Sequence, residues 1–237
     1  MRVELQPAYI LHRRPYRNTS AIVEIFTREH GRVGLVARGM QGKKNAFQAI
    51  LQPFNRVLLS WTGRGELRTL THAESANDSS SILHRPMASM FYLNELMMRL
   101  MQRDDPHEEL FALYETTLVS LLNCKEGKDD EVLLRVFEKC LLEELGYGLV
   151  LDVEAESGDE LVAGNEYRYI LDRGPLLNTP TMTGGVLLHG ESLLALAAEE
   201  ISGERVLRES KQLMRFILRE YLGDKPLQSR MLYNRPY

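Results

Sequence analysis

"SAIVEIFTREHGRVGLVAR" (Ser20–Arg38) decides how the first third of the chain folds. Residues 20–28 and 32–38 are two short runs rich in Val, Ile and Phe, which suit a pleated, half-buried surface. "REHGR" between them holds Gly31, the residue type that a tight hairpin turn requires. Working outward, "PAYILHR" (7–13), "NRVLLSW" (55–61) and "ELRTLTHAE" (66–74) have the same character. "RPYRNT", the long 39–54 stretch and "TGRG" separate them with Gly, Pro or Asn. Five short strands with one long excursion between the third and fourth predict a small closed barrel. An OB-fold is the first reading and an SH3-like barrel the second, because periodicity does not separate the two.

Beyond the polar break "SANDSSSILHRP" (75–86) the apolar period changes from two to between three and four. The chain is therefore divided into a barrel domain over 1–78 and a mainly α-helical domain over 79–237, an α+β architecture. Helices are predicted over 86–102, 107–124, 130–148, about 190–201 and 203–222, with one strand at "YRYILD" (167–172) in a Gly-, Asp- and Pro-rich segment. The methionines of "PMASMFYLNELMMRLMQ" (86–102) fall at helical spacing and read as core. For the helix at 130–146 the expected buried face is Val132, Leu133, Val136, Phe137, Cys140, Leu141 and Leu145.

The 237 residues carry a net charge of −4, but the charge is unevenly placed. Residues 1–76 hold 12 Lys and Arg against 5 Asp and Glu, a net +7, whereas the rest holds 17 against 28, a net −11. Such a split gives the two parts different partners, with polyanions drawn to the barrel. No apolar run approaches the ~18 residues of a membrane span. The opening "MRVELQPAYILHRRPYR" does not read as a signal peptide, so a cytoplasmic location is expected. The two cysteines, Cys124 and Cys140, form no CxxC pair and suggest neither a disulfide framework nor a zinc ribbon.

Signatures of catalysis are missing: no phosphate-binding GxxxxGK[ST] loop, no GxGxxG after a strand, no HExxH and no GxSxG. The six histidines are scattered. The chain reads as a non-enzyme, with a nuclease and a purely structural adaptor as rivals. The basic barrel is the better lead. Arg14, Arg17, Arg32, Arg38, Lys43, Lys44 and Arg64 are the candidate phosphate contacts, interleaved with Tyr9, Tyr16, Phe26, Phe47, Phe54 and Trp61. Single-stranded nucleic acid needs this mixture, because cations follow the phosphates while rings stack on bases without reading sequence. Phe26 and Trp61 lie within apolar alternation and read as core. For Tyr16 and Phe47, in basic loops, the pattern leaves exposure and burial both open.

"LHRRPYRNTSAIVEIFTREHGRVGLVARGMQGKKN", "LQPFNRVLLSWTGRGELRTLTHAE", "FYLNELMMRL", "LRVFEKCLLEELGYG" and "YLGDKPLQSRMLY" together resemble the bacterial DNA repair and recombination mediators of the RecO family. The likeness runs in order along nearly the whole chain. It implies an N-terminal OB-fold and a helical C-terminal domain, binding and annealing of single-stranded DNA with weaker binding of duplex DNA, and association with the nucleoid during repair. It also implies work with RecR in loading RecA onto DNA coated by single-stranded DNA-binding protein. By motif position, "LLRVFE" places Arg135 where such mediators grip the acidic, phenylalanine-ended tail of that protein, with Leu134 and Leu142 beside it for the phenyl ring. Read from spacing alone, Arg135 makes a surface ion pair with Glu131 or Glu138. Many relatives carry a four-cysteine zinc cluster; with two cysteines here, no metal or other cofactor is expected. The rival reading is an RNA- or ribosome-associated OB-fold factor, since nothing in the residues shows how a 2′-hydroxyl is treated.

Overall fold

The computed structural model describes residues 1–39, 46–76, 87–124 and 128–233. Its first five strands are β1 (Arg2–Tyr16), β2 (Ser20–Thr27), β3 (Gly31–Ala37), β4 (Arg56–Thr62) and β5 (Leu67–Ser75). They close a barrel in the order β1-β2-β3-β5-β4, with β4 returning to β1. Only the β3–β5 pair is parallel. This strand order is that of an OB-fold, which removes the SH3-like alternative. β1 is longer than its sequence pattern suggests because it borders both β2 and β4, bending at irregularities near Val3/Gln6 and Ile10/His12. Inside lie Ala8, Ile10, Val23, Ile25, Val33, Leu35, Val57, Leu59 and Trp61, all nearly or fully buried. The 39–54 excursion contains a short helix, α1 (Ala46–Ile50), whose Phe47 and Ile50 pack on that interior together with Leu51.

β2 is buried at seven of its eight positions, so its outer face is covered as well. The cover is α2 (Met87–Leu100) and α3 (Glu108–Asn123). Tyr9 and Phe26 point out of the barrel into an aromatic cluster with Phe111 and Tyr114, at ring separations of 5.3–6.1 Å. The Asn94 amide donates to the Leu11 carbonyl at 2.7 Å and accepts the Tyr114 hydroxyl at 2.5 Å, satisfying a buried polar side chain. The α2–α3 connection is bound to the barrel by charge: Arg68 meets Asp104 at 2.6 Å and Arg103 meets the buried Glu24. Glu95 on α2 accepts the backbone N–H groups of Gln228 and Ser229 at 2.8 and 2.9 Å, which ties the chain's return to this unit. By compactness, residues Met1–Leu122 and Leu227–Tyr237 form one unit and Asn123–Pro226 the other.

The second unit contains α4 (Lys128–Glu144), β6 (Glu166–Ile170), β7 (Gly174–Leu177), β8 (Val186–His189), α5 (Gly190–Ala197) and α6 (Glu204–Leu222); a short α7 (Arg230–Tyr233) follows in the first. In place of one isolated strand there is a three-stranded antiparallel sheet, β7-β6-β8. β7 and β8 are four residues each, too short for alternation to show. Glu209 of α6 accepts the His189 backbone N–H and faces its Nδ1, each at 2.9 Å, joining helix to sheet. α4 departs from the expected buried face. Phe137 and Leu141 are buried as expected, but Leu134, Arg135, Glu138, Lys139 and Leu142 are buried with them, and Val132, Leu133, Val136, Cys140 and Leu145 are only half-buried. Counting apolar residues misplaces this face because Arg135 and Glu138 neutralise one another inside, while Lys139 pairs with Glu143 and Glu199 at the surface. Among the described residues, no helix is long and apolar enough to cross a membrane.

Candidate functional site

Strand register sorts the predicted phosphate contacts. Arg14 pairs with Ile22, Tyr16 with Ser20, and Ala21 with Ala37. The β1–β2 turn and the exit of β3 therefore lie at one end of the barrel, and Arg14, Arg17 and Arg38 are all exposed there. None of the three is ion-paired among the described residues. Arg17 takes a left-handed backbone (φ 53°) in the turn, and its guanidinium lies 5.1 Å from the centre of the Tyr16 ring. This contact holds both groups at the rim as a cation–π pair. Arg13 donates to the Gln48 carbonyl at 3.2 Å, linking the same end to α1. Lys43 and Lys44, reached from Arg38 along the chain, lie outside the described residues.

The other two arginines are placed elsewhere. Arg64 is exposed in the β4–β5 turn, beside the start of β1, at the opposite end of the barrel. Arg32 is half-buried, and one of its N–H groups goes to the Met98 carbonyl at 2.8 Å. The aromatics thin out in the same way. Tyr9, Phe26, Phe54 and Trp61 are buried and Phe47 packs on the core, so Tyr16 is the ring left at the basic end.

Arg135 is not on the surface. It is 5% exposed and meets the fully buried Glu138 at 2.5 Å, while Glu131 turns to Lys211 at 2.5 Å. The ion pair expected at i,i+3 therefore exists, but inside the molecule, and the expectation of a surface pair is corrected. Leu134 and Leu142 are buried beside it at 5% and 0% exposed, not off the packed face.

Among the described residues no three His, Cys, Asp or Glu side chains gather as a metal set. Burial pushes the Cys140 thiol up to about 12, helped by Glu199, whose Oε1 lies 3.4 Å from Sγ. Because the thiolate is the nucleophile, and its greater intrinsic nucleophilicity offsets part of the loss, Cys140 in the folded protein should alkylate on the order of 10² times more slowly at pH 8 than an ordinary thiol. Mass spectrometry after timed iodoacetamide labelling checks this. Ordinary labelling of Cys140 in the native protein would contradict the packing.

Two family models cover the chain: "Recombination protein O N terminal" matches residues 1–78 and "Recombination protein O C terminal" matches residues 85–231. The DNA repair protein RecO of Nitrosococcus oceani is 47% identical over 232 residues, covering 98% of this chain and 93% of the relative. That of Alkalilimnicola ehrlichii is 48% identical over 234 residues, covering 98% and 91%. That of Coxiella burnetii is 44% identical over 231 residues, covering 98% of each. With its barrel, its helical remainder and both models matched, the chain belongs to the RecO family.

Proposed function

We propose that this chain is a non-enzymatic DNA repair mediator that binds single-stranded DNA at the Arg14–Arg17–Arg38 end of its barrel and anneals complementary strands. The observation that carries this reading is the gathering of three exposed guanidiniums, without an ion pair among the described residues, at one end of an OB-fold beside a half-exposed tyrosine. Relatives with 44–48% identity are DNA repair proteins, which favours DNA over the RNA or ribosomal reading. In this proposal residues 1–78 carry the DNA, 79–237 engage the tail of single-stranded DNA-binding protein, and the chain acts with RecR to load RecA. The protein acts in the cytoplasm, on the nucleoid. The mode of binding is electrostatic, with counterions released from the strand as cations replace them.

Arg14→Gln/Arg17→Gln/Arg38→Gln is expected to lower the log–log salt slope of oligonucleotide binding by about 2, from roughly 0.7 per phosphate contact. Lys43→Ala/Lys44→Ala is expected to lower it by about 1.4 on the same basis. Fluorescence anisotropy across a salt series measures both. An unchanged slope in a folded triple variant would remove this end of the barrel from the interface. Competition between DNA and RNA of one sequence separates the repair reading from the RNA-binding one.

A further inference from the structure

The acidic second unit carries one surface of the opposite sign. Five residues of α6 are basic: Arg205, Arg208, Lys211, Arg215 and Arg219. At about 100° per residue, Arg208, Arg215 and Arg219 fall within an arc of about 40°, with Arg205 and Gln212 alongside. All five of those residues are exposed. Val206, Leu213, Met214, Ile217 and Leu218 are buried, as is Glu209, so one of the helix's carboxylates is turned inward. Arg205 pairs with Glu191, and Lys211 with Glu131. Arg208, Arg215 and Arg219 have no ion pair among the described residues.

A face built only for solubility does not explain this register. Such faces alternate sign, with a carboxylate one turn before each cation. Here Glu204 precedes Arg208 in that way, but Lys211, Arg215 and Arg219 follow one another at i, i+4 and i+8, where like charges weaken a helix. Arg205 also sits in the first turn, where the helix dipole disfavours a cation. Glu191 and Glu131 already offset Arg205 and Lys211, so an external anion would chiefly relieve the repulsion between Arg215 and Arg219. The row from Arg208 to Arg219 is about 16 Å long on a rigid element, facing about five phosphates of a stacked strand. Guanidinium suits phosphate through paired N–H groups. From Arg208 to Arg219 the exposed stripe is Arg and Gln, Glu204 lies one turn before it, and no exposed apolar residue offers the anchor point that peptide recognition uses.

We propose that the exposed face of α6 is a second contact surface for a nucleic-acid backbone, holding a strand through its phosphates without reading its bases. This rests on the nucleic-acid-binding function proposed above. The test uses the full chain and a fluorescein-labelled thymidine oligonucleotide, with anisotropy read across a salt series. Arg208→Gln/Arg215→Gln/Arg219→Gln should lower the log–log slope by about 2, in the wild-type background and in the barrel triple variant alike. The corresponding triple Lys variant should keep the slope, because charge is retained. The melting temperature of the Gln variant should not fall, since like-charge repulsion is removed. An unchanged slope in the Gln variant, with a reduced one in the barrel variant, overturns the α6 surface alone. No binding by the wild type at low salt overturns the α6 surface and the proposed function together. An acidic peptide that binds wild type and not the Gln variant, with the DNA slope unchanged, overturns the proposal in favour of a protein partner.

Discussion

Arg135→Ala is expected to cost about 3–5 kcal/mol of stability, the usual result of removing one member of a buried ion pair. A surface pair at the same spacing would contribute a few tenths. The difference arises from burial: Arg135 is 5% exposed and Glu138 fully buried, so truncation leaves a carboxylate in the interior without the guanidinium that balances it. Native stabilities are about 5–15 kcal/mol, so such a loss is about a fifth of the total or more. It would lower Tm by about 6–20 °C in a chain of this size. Urea denaturation followed by circular dichroism measures it, and a loss under about 1 kcal/mol would contradict the buried pair. Arg135→Met/Glu138→Leu removes both charges at similar volume and should recover most of the stability. That double variant also tests the proposed tail site without the confounding effect of unfolding. It lacks the guanidinium, so if Arg135 holds the tail, a labelled phenylalanine-ended tail peptide binds ~2 kcal/mol or more weakly. Wild-type affinity would sink the assignment of Arg135 to the tail.

The second large effect is expected at Gly31, the turn residue between β2 and β3. Its backbone is left-handed (φ 60°), and a Cβ built there would lie 1.9 Å from the Asp105 carbonyl oxygen. Strain for a residue with a side chain in this region costs about 1–3 kcal/mol. The clash adds to it, because backbone rather than a mobile side-chain end must give way. Moving 103–105 away would disturb the Asp104 N–H donated to the Arg32 carbonyl at 3.0 Å and the Arg68–Asp104 pair. Gly31→Ala is therefore expected to cost on the order of 4 kcal/mol. Gly65 is the control: it too is left-handed (φ 86°), yet nothing lies within 4 Å of its Cβ position. Gly65→Ala should cost only the strain, about 1–2 kcal/mol. Equal losses at the two sites, read from Tm and denaturation midpoints, would show that the contact with Asp105 contributes nothing.

The five barrel strands and the helices at α2, α3, α4, α5 and α6 were legible in the chain because each is a run long enough for its period to appear. β7, β8, α1 and α7 were not: at four or five residues, and without the alternating tyrosines that mark the equally short β6, each is shorter than the window in which period two or 3.6 can be told apart. The excess of basic residues in the barrel was equally plain, but a list of cations carries no positions in space. Register does: Arg14, Arg17 and Arg38 meet at one end because Ala21 pairs with both Pro15 and Ala37, while the β4–β5 turn carries Arg64 to the other. Arg32 is drawn into the α2 backbone by a carbonyl 66 residues away. Tyr9 and Phe26 leave the barrel interior for α3, which no local pattern of β1 or β2 encodes. Arg135 shows the same limit most clearly. Its sequence neighbours make it a surface cation by every local rule, and only packing around α4, with Glu138 held at 2.5 Å, makes it an interior one. Local pattern reports what a segment prefers when half its surface meets water; long-range contacts decide which half that is.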